Sequence, residues 1–235
     1  GFPGANITDI MVPMYPKLDW IQDVLTDPNE NRPFIMCEYA YSKGNALGNF
    51  QKYWDLIDKF PRFQGGFIWD WREKTLMKKV KGEYQHAYGS EFDNGIGPDG
   101  YNYGIKENSQ MCCNGIVNAD LEPKPGAWEV KNLQAPIAFV SENREDLLKG
   151  TITIWNKYLV SDLSHLEIHW QITVDGNELE NGVIGPPDVK SGQKGSIVIP
   201  LSSLKQSSGG EYRLNLTAKC VGKTSWSPKN HPIAW

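Results

Sequence analysis
Two periods of apolar residues divide the chain. Over the first half, short apolar runs alternate with a stretch of helical spacing. Ile7-Thr8-Asp9-Ile10-Met11-Val12-Pro13-Met14-Tyr15 opens as a buried strand, and Pro33-Phe34-Ile35-Met36-Cys37 is a second that runs straight into Glu38. Leu47, Phe50, Tyr53, Trp54, Ile57 and Phe60 then recur at spacings of three and four, which draws one apolar stripe along a helix. Pro61 ends that helix, because proline lacks the amide proton that a continuing helix needs. Gly65-Gly66-Phe67-Ile68-Trp69 predicts a third strand, leading into Asp70 and Trp71. Strand, helix and strand with short joints make a βαβ unit, whose parallel strands are expected to be buried on both faces.

The second half changes period. Leu166, Ile168, Trp170, Ile172 and Val174 alternate with polar residues, as a half-buried antiparallel strand should, and Asp175-Gly176 follows as a turn signal. Thr151 to Trp155, Ser196 to Pro200, and Tyr212 to Cys220 repeat the pattern at separate stations, so this half is expected to be a β-sandwich. Leu121-Glu122-Pro123-Lys124-Pro125-Gly126 reads as a rigid joint, and a helix-like stretch runs from it to Pro136. The expected domains are therefore 1–136 and 137–235.

Composition narrows the function classes. A net charge of −4, spread along the chain, gives no electrostatic footprint for nucleic acid. No apolar run reaches the roughly 18 residues of a membrane span. Four cysteines at irregular spacing make neither a disulfide scaffold nor a zinc pattern, and Cys37 is expected as a buried free thiol. The opening Gly1-Phe2-Pro3-Gly4 lacks the charged start and apolar core of a signal peptide. Gly95 to Gly100 matches GxGxxG but has neither a strand before it nor a helix after it, so it is read as a loop. His165 and His169 lie on the polar side of an alternating strand and are expected to face solvent.

Glu38 is the residue that needs explaining. A carboxylate at the end of a buried strand costs desolvation energy unless partners hold it. In a parallel barrel such strand ends gather at the carboxyl rim, where active sites are built. Tyr15 and Trp69 also follow apolar strands, so a carboxylate, a phenol and an indole are expected at one rim. That combination suits a sugar: the carboxylate attacks an anomeric carbon, the phenol bonds to it, and the indole walls the ring. The bland alternative for Glu38 is a salt bridge at the rim, and for Trp69 core packing.

At these residues the chain resembles the bacterial β-galactosidases of glycoside hydrolase family 2. Arg32-Pro33-Phe34-Ile35-Met36-Cys37-Glu38-Tyr39-Ala40, with Gly44-Asn45 and Leu47-Gly48, is similar to their nucleophile segment. Gln64-Gly65-Gly66-Phe67-Ile68-Trp69-Asp70-Trp71 is similar to their final barrel strand, Pro13-Met14-Tyr15 to the segment bearing a tyrosine beside the nucleophile, and Asn114-Gly115 with Ala119-Asp120 to their asparagine loop. Trp226-Ser227 and His231 to Trp235 resemble the close of the domain after the barrel.

The resemblance implies an α/β plus all-β chain: the last three strands of a (β/α)8 TIM barrel in 1–136, then an immunoglobulin-like β-sandwich in 137–235. It implies retaining hydrolysis of β-galactosides, such as lactose or galacto-oligosaccharides, through a covalent intermediate on Glu38 oriented by Tyr15. Met14, Tyr41, Trp69 and Asn114 would contact the sugar. Asn114 and the backbone carbonyl of Met111 would hold a sodium ion, and a magnesium ion would bind through ligands outside this chain. The parent would be a cytoplasmic or periplasmic bacterial enzyme that often assembles into homo-oligomers. Two positions depart from the family: Tyr41 stands where a sugar-contacting histidine is usual, and Met111 where phenylalanine is. The acid/base glutamate belongs to an earlier strand, and Glu73 or Glu91 would be poor substitutes, so the chain alone is expected to be inactive. The other readings are a carbohydrate-binding fragment using Trp155, Trp170 or Trp226, and a family 2 enzyme for β-glucuronides or β-mannosides.

Overall fold
A computed structural model of the protein describes residues 7–43, 47–87, 113–201 and 210–235. The chain divides into two compact units, Gly1–Leu133 and Gln134–Trp235.

In the first unit, helix α1 (Leu18–Thr26) buries Ile21, Val24 and Leu25. It has no counterpart among the elements expected from the pattern, because its apolar stripe is only two turns long. Strand β1 (Phe34–Tyr39), helix α2 (Phe50–Lys59) and strand β2 (Phe63–Ile68) then form the expected βαβ unit. The strands are parallel, in register Phe34↔Phe63, Met36↔Gly66 and Tyr39↔Ile68. Gly66 is required there: a Cβ would lie 2.8 Å from the Met36 side chain. The helices pack on the face that presents Phe34, Met36, Tyr39 and Phe63, and this makes the unit's core.

Two expectations are corrected here. The parallel strands are not buried on both faces: Phe67 is 64% exposed and Val12 40%. Phe67 lies on β2 and Val12 on the segment beside β1, while Ile35 and Cys37 of β1 are half-buried. The segment 7–15 is also not a continuous strand. It runs parallel to β1, with Met11 N–H donating to the Pro33 carbonyl, Ile35 N–H to Met11 and Cys37 N–H to Pro13. Pro13 has no N–H to return, and the register then slips, so that Met14 pairs with Glu38 and Tyr15 N–H donates to the Glu38 carbonyl at 3.0 Å. Only two isolated bridges survive, Met11–Phe34 and Met14–Glu38.

Beyond β2 the chain forms a hairpin that the pattern did not suggest, β3 (Leu76–Val80) and β4 (Glu83–Ala87). Lys81 and Gly82 both take positive φ at its turn, as a two-residue hairpin loop requires. Residues 70–73 run beside 114–117: Asp70 N–H donates to Asn114, Ile116 N–H to Asp70, Val117 N–H to Trp71 and Glu73 N–H to Val117. Helix α3 (Pro125–Leu133) closes the unit, with proline in its first turn, where the missing donor costs nothing.

The second unit holds β5 (Ile137–Val140), α4 (Arg144–Leu148), β6 (Thr151–Asn156), β7 (Leu166–Val174), β8 (Asn177–Ile184), β9 (Lys194–Val198), β10 (Tyr212–Cys220) and β11 (Pro232–Ala234). Two antiparallel sheets result, ordered β5-β6-β9 and β11-β10-β7-β8. Inward residues of both line a single core. On β7, Leu166, Ile168, Trp170 and Ile172 are buried, and Gly182 opposite Trp170 leaves room for the indole, which a Cβ would approach to 2.7 Å. Asn156, fully buried, is fully used: its amide donates to Ser161 and Val189 carbonyls and accepts from Tyr158 N–H.

Candidate active site
The end of β1 and the segments beside it gather the acidic and aromatic residues. Glu38, half-buried, is the fifth residue of β1, and the register slip at Met14–Tyr15 sets Tyr15 next to it. Tyr15 holds a left-handed backbone (φ 46°), and its phenol is hydrogen-bonded to the Glu38 carboxylate. Its pKa is pushed well above the ordinary phenol value, first by desolvation, then by that bond, and then by the charges of Glu38, Tyr41 and Asp70. Tyr15 therefore stays a hydrogen-bond donor across the neutral range, with the Glu38 carboxyl group as its partner. The Tyr41 ring meets Tyr15 edge-on at 6.2 Å between centroids, with planes 76° apart.

Trp69 arrives by pairing: its N–H donates to the Tyr39 carbonyl at 2.9 Å, one residue beyond Glu38. The Trp69–Asp70 peptide is cis. The Lys74 ammonium stands 4.3 Å from the centre of the Trp69 ring and is ion-paired with Asp70. Asp70, whose charge acts on Tyr15, is a candidate site residue that the sequence pattern did not single out. Its signal was the one that singled out Glu38, an acid directly after an apolar strand.

Asn114 is fully buried and reaches this region because its carbonyl accepts from Asp70 N–H at 3.1 Å. Met14 is at the rim through its bridge to Glu38, with its side chain 59% exposed. Met111, Glu91 and the Gly95–Gly100 motif lie outside the described residues. Glu73 is engaged elsewhere, in an ion pair with Lys124 at 2.8 Å. The amide oxygen of Asn114 is the kind of hard ligand that sodium takes, and the second expected ligand, Met111, lies outside the described residues.

The remaining signals resolve locally. His165 is exposed beside the Tyr158 hydroxyl at 3.4 Å, and His169, half-buried rather than open to solvent, bonds to Glu167 at 2.8 Å. Among the described residues no three His, Cys, Asp or Glu side chains cluster as a metal site, and no helix is long and apolar enough to cross a membrane. Cys37 is half-buried, its thiol directed at the Pro13 carbonyl. Trp170 belongs to the core, Trp155 lies outside it against Lys157 and Lys194, and exposed Trp226 meets His231 edge-on.

The chain is similar to solved structures of Bacteroides uniformis β-glucuronidase, at 12% identity and a TM-score of 0.33, over 90% of this chain and 26% of that one. It is equally similar to B. uniformis β-glucuronidase 2 covalently bound to cyclophellitol-6-carboxylate aziridine, again at 12% identity, TM-score 0.33, and 90% and 26% coverage. The chain thus spans about a quarter of the length of these structures, and a likeness this weak bears on neither the site nor the sugar. The model described as β-galactosidase, domain 4, matches residues 152–235. The model of the TIM-barrel domain of glycosyl hydrolases family 2 matches residues 4–139, more than half of the chain, and the protein belongs to that family.

Proposed function
We propose that this chain is the carboxyl-terminal part of the catalytic barrel of a retaining β-galactosidase, together with the immunoglobulin-like sandwich that follows it. The observation that carries the reading is the Glu38 carboxylate at a strand end, bonded to the Tyr15 phenol. A carboxylate so held is oriented, and it accepts a bond from a group that does not compete for its negative charge. It attacks the anomeric carbon of a β-galactoside while the leaving oxygen takes a proton from a second carboxyl group about 5–5.5 Å away. That acid, a glutamate from an earlier strand, then activates the water that cleaves the ester on Glu38, with net retention. Trp69 walls the sugar ring, and Met14, Tyr41 and Asn114 contact it. The exposure of Phe67 on β2 and of Val12 beside β1 supports the partial-barrel reading, since a barrel interior is filled by side chains from all its strands.

The match of the domain 4 model favours galactosides. The second reading, a family 2 enzyme for another sugar, is favoured by Tyr41, which cannot supply the imidazole usual in the galactosidases. Substrate is carbohydrate in either case. A binding role for the second unit finds no support in Trp170, which is packed inside.

Glu38→Gly in the full-length enzyme tests the nucleophile. The variant should lose hydrolysis of an aryl β-galactoside, and added azide, entering from the vacated face, should restore aglycone release and form an α-galactosyl azide. A β-azide, or no response to azide with activity intact, would reject Glu38. The 235-residue chain by itself should release no aglycone.

A further inference from the structure
We infer that Lys124 is a positioning residue for the sugar site, an inference that rests on the functional reading above. Its ammonium joins two segments that leave different strands. It donates to the Ser42 carbonyl at 3.2 Å and to Glu73 Oε1 at 2.8 Å. Ser42 is buried and directly follows Tyr41, on the segment leaving β1. Glu73 ends the extended run that starts at Trp69 and Asp70, after β2.

Lys124 is well placed to act as a brace because its own backbone is fixed. Its N–H donates to the Ile116 carbonyl at 3.0 Å, and its carbonyl accepts from Ala127 N–H at 2.9 Å as α3 begins. Its side chain is 14% exposed and that of Glu73 18%, so both charges have lost most of their water. Charges in that position need each other, and breaking one side leaves the other uncompensated. The pair therefore resists movement of either wall, and Tyr41 and Trp69 keep their spacing about Glu38. Lys124 is distant in sequence from both walls and touches no reacting atom. Its effect is carried through Ser42 and Glu73.

The test is Lys124→Met in the full-length enzyme, assayed on an aryl β-galactoside well below the variant's melting temperature. Loss of wall spacing weakens sugar contacts in ground and transition states alike, so KM should rise about tenfold while kcat stays within about threefold. Lys124→Arg keeps the charge and donors in another geometry and should recover part of the KM. Unchanged KM, or a fall in kcat alone with no rescue by arginine, overturns the inference. If Lys124→Met does not fold, Glu73→Gln decides: a KM increase of about two- to fivefold supports the brace, and no change overturns it. If a fluorogalactosyl donor leaves wild-type Glu38 unlabelled, the functional reading fails, and hydrogen exchange on the 235-residue chain judges the brace alone. Lys124→Met should then speed exchange in peptides over 39–43 and 69–73 but not over 151–156, and equal rates throughout would overturn it.

Discussion

Strand β7 in the second unit buries Leu166, Ile168, Trp170 and Ile172 on one face and turns polar residues outward, and sheets from both sides meet in one core. Strand β2 in the first unit has helices on one side, yet it leaves Phe67 64% exposed on the other. The sequence explains the difference. Alternation specifies one buried face, and the second unit supplies a cover for it. The parallel strands of the first unit carry apolar residues on both faces, and Phe67 on β2 stays exposed. The candidate site residues follow the same division: Tyr15, Glu38, Tyr41, Trp69 and Asp70 all belong to the first unit.

The largest effect expected from this contrast is in activity. Glu38→Gln in the full-length enzyme should lower kcat/KM for an aryl β-galactoside by about four orders of magnitude or more. Its melting temperature should stay near that of the wild type, because a half-buried rim residue carries little of the core. A large loss of stability would turn Glu38 into a structural rim residue.

Trp170→Ala should act in the opposite sense. It leaves the rim chemistry untouched and costs about 3–5 kcal/mol in denaturant unfolding of the 235-residue chain. A cost below about 1 kcal/mol would mean that the indole does not fill the core opposite Gly182.

Glu30 gives an intermediate effect inside the first unit. It is buried at 7% exposure, and its bonds to Arg32 lower its pKa from the ordinary 4.5 to about 2. A folded pKa below the unfolded one contributes stability above the unfolded value, and that contribution fades as pH falls toward the folded one. Glu30→Gln should therefore destabilise the chain by roughly 1–3 kcal/mol near pH 7, with the gap closing between pH 5 and 2. A gap constant with pH would assign the effect to packing.

The smallest effect sharpens the comparison most. Phe67→Ser should change the stability of the 235-residue chain by no more than about 0.5 kcal/mol, because the side chain is already in water. In the full-length enzyme, where the barrel reading covers that face, the same substitution should cost several kcal/mol. Equal effects in both would remove the partial-barrel reading.

Much of this was legible in the sequence because two periods carried it. The spacing from Leu47 to Phe60 gave α2, the alternation from Leu166 to Val174 gave β7, and Asp175-Gly176 gave the turn that joins it to β8, both residues at positive φ. The carboxylate, phenol and indole at strand ends were legible for the same reason. Less was visible where long-range pairing overrides local pattern. Pro13 breaks the ladder that Ile7 to Tyr15 promised, and the resulting slip, which sequence cannot express, is what sets Tyr15 against Glu38. Asn114 reaches the rim by long-range pairing with Asp70. The brace from Lys124 to Ser42 and Glu73 joins residues 82 and 51 positions apart, and no spacing rule signals it.

The most direct measurement is mechanism-based labelling of the full-length enzyme with a 2-deoxy-2-fluoro-β-galactosyl donor, followed by peptide mass mapping. A galactosyl adduct on Glu38, formed as activity is lost, is the predicted result. An adduct on another residue, or inactivation with Glu38 unmodified, would contradict the assignment of Glu38 as the nucleophile.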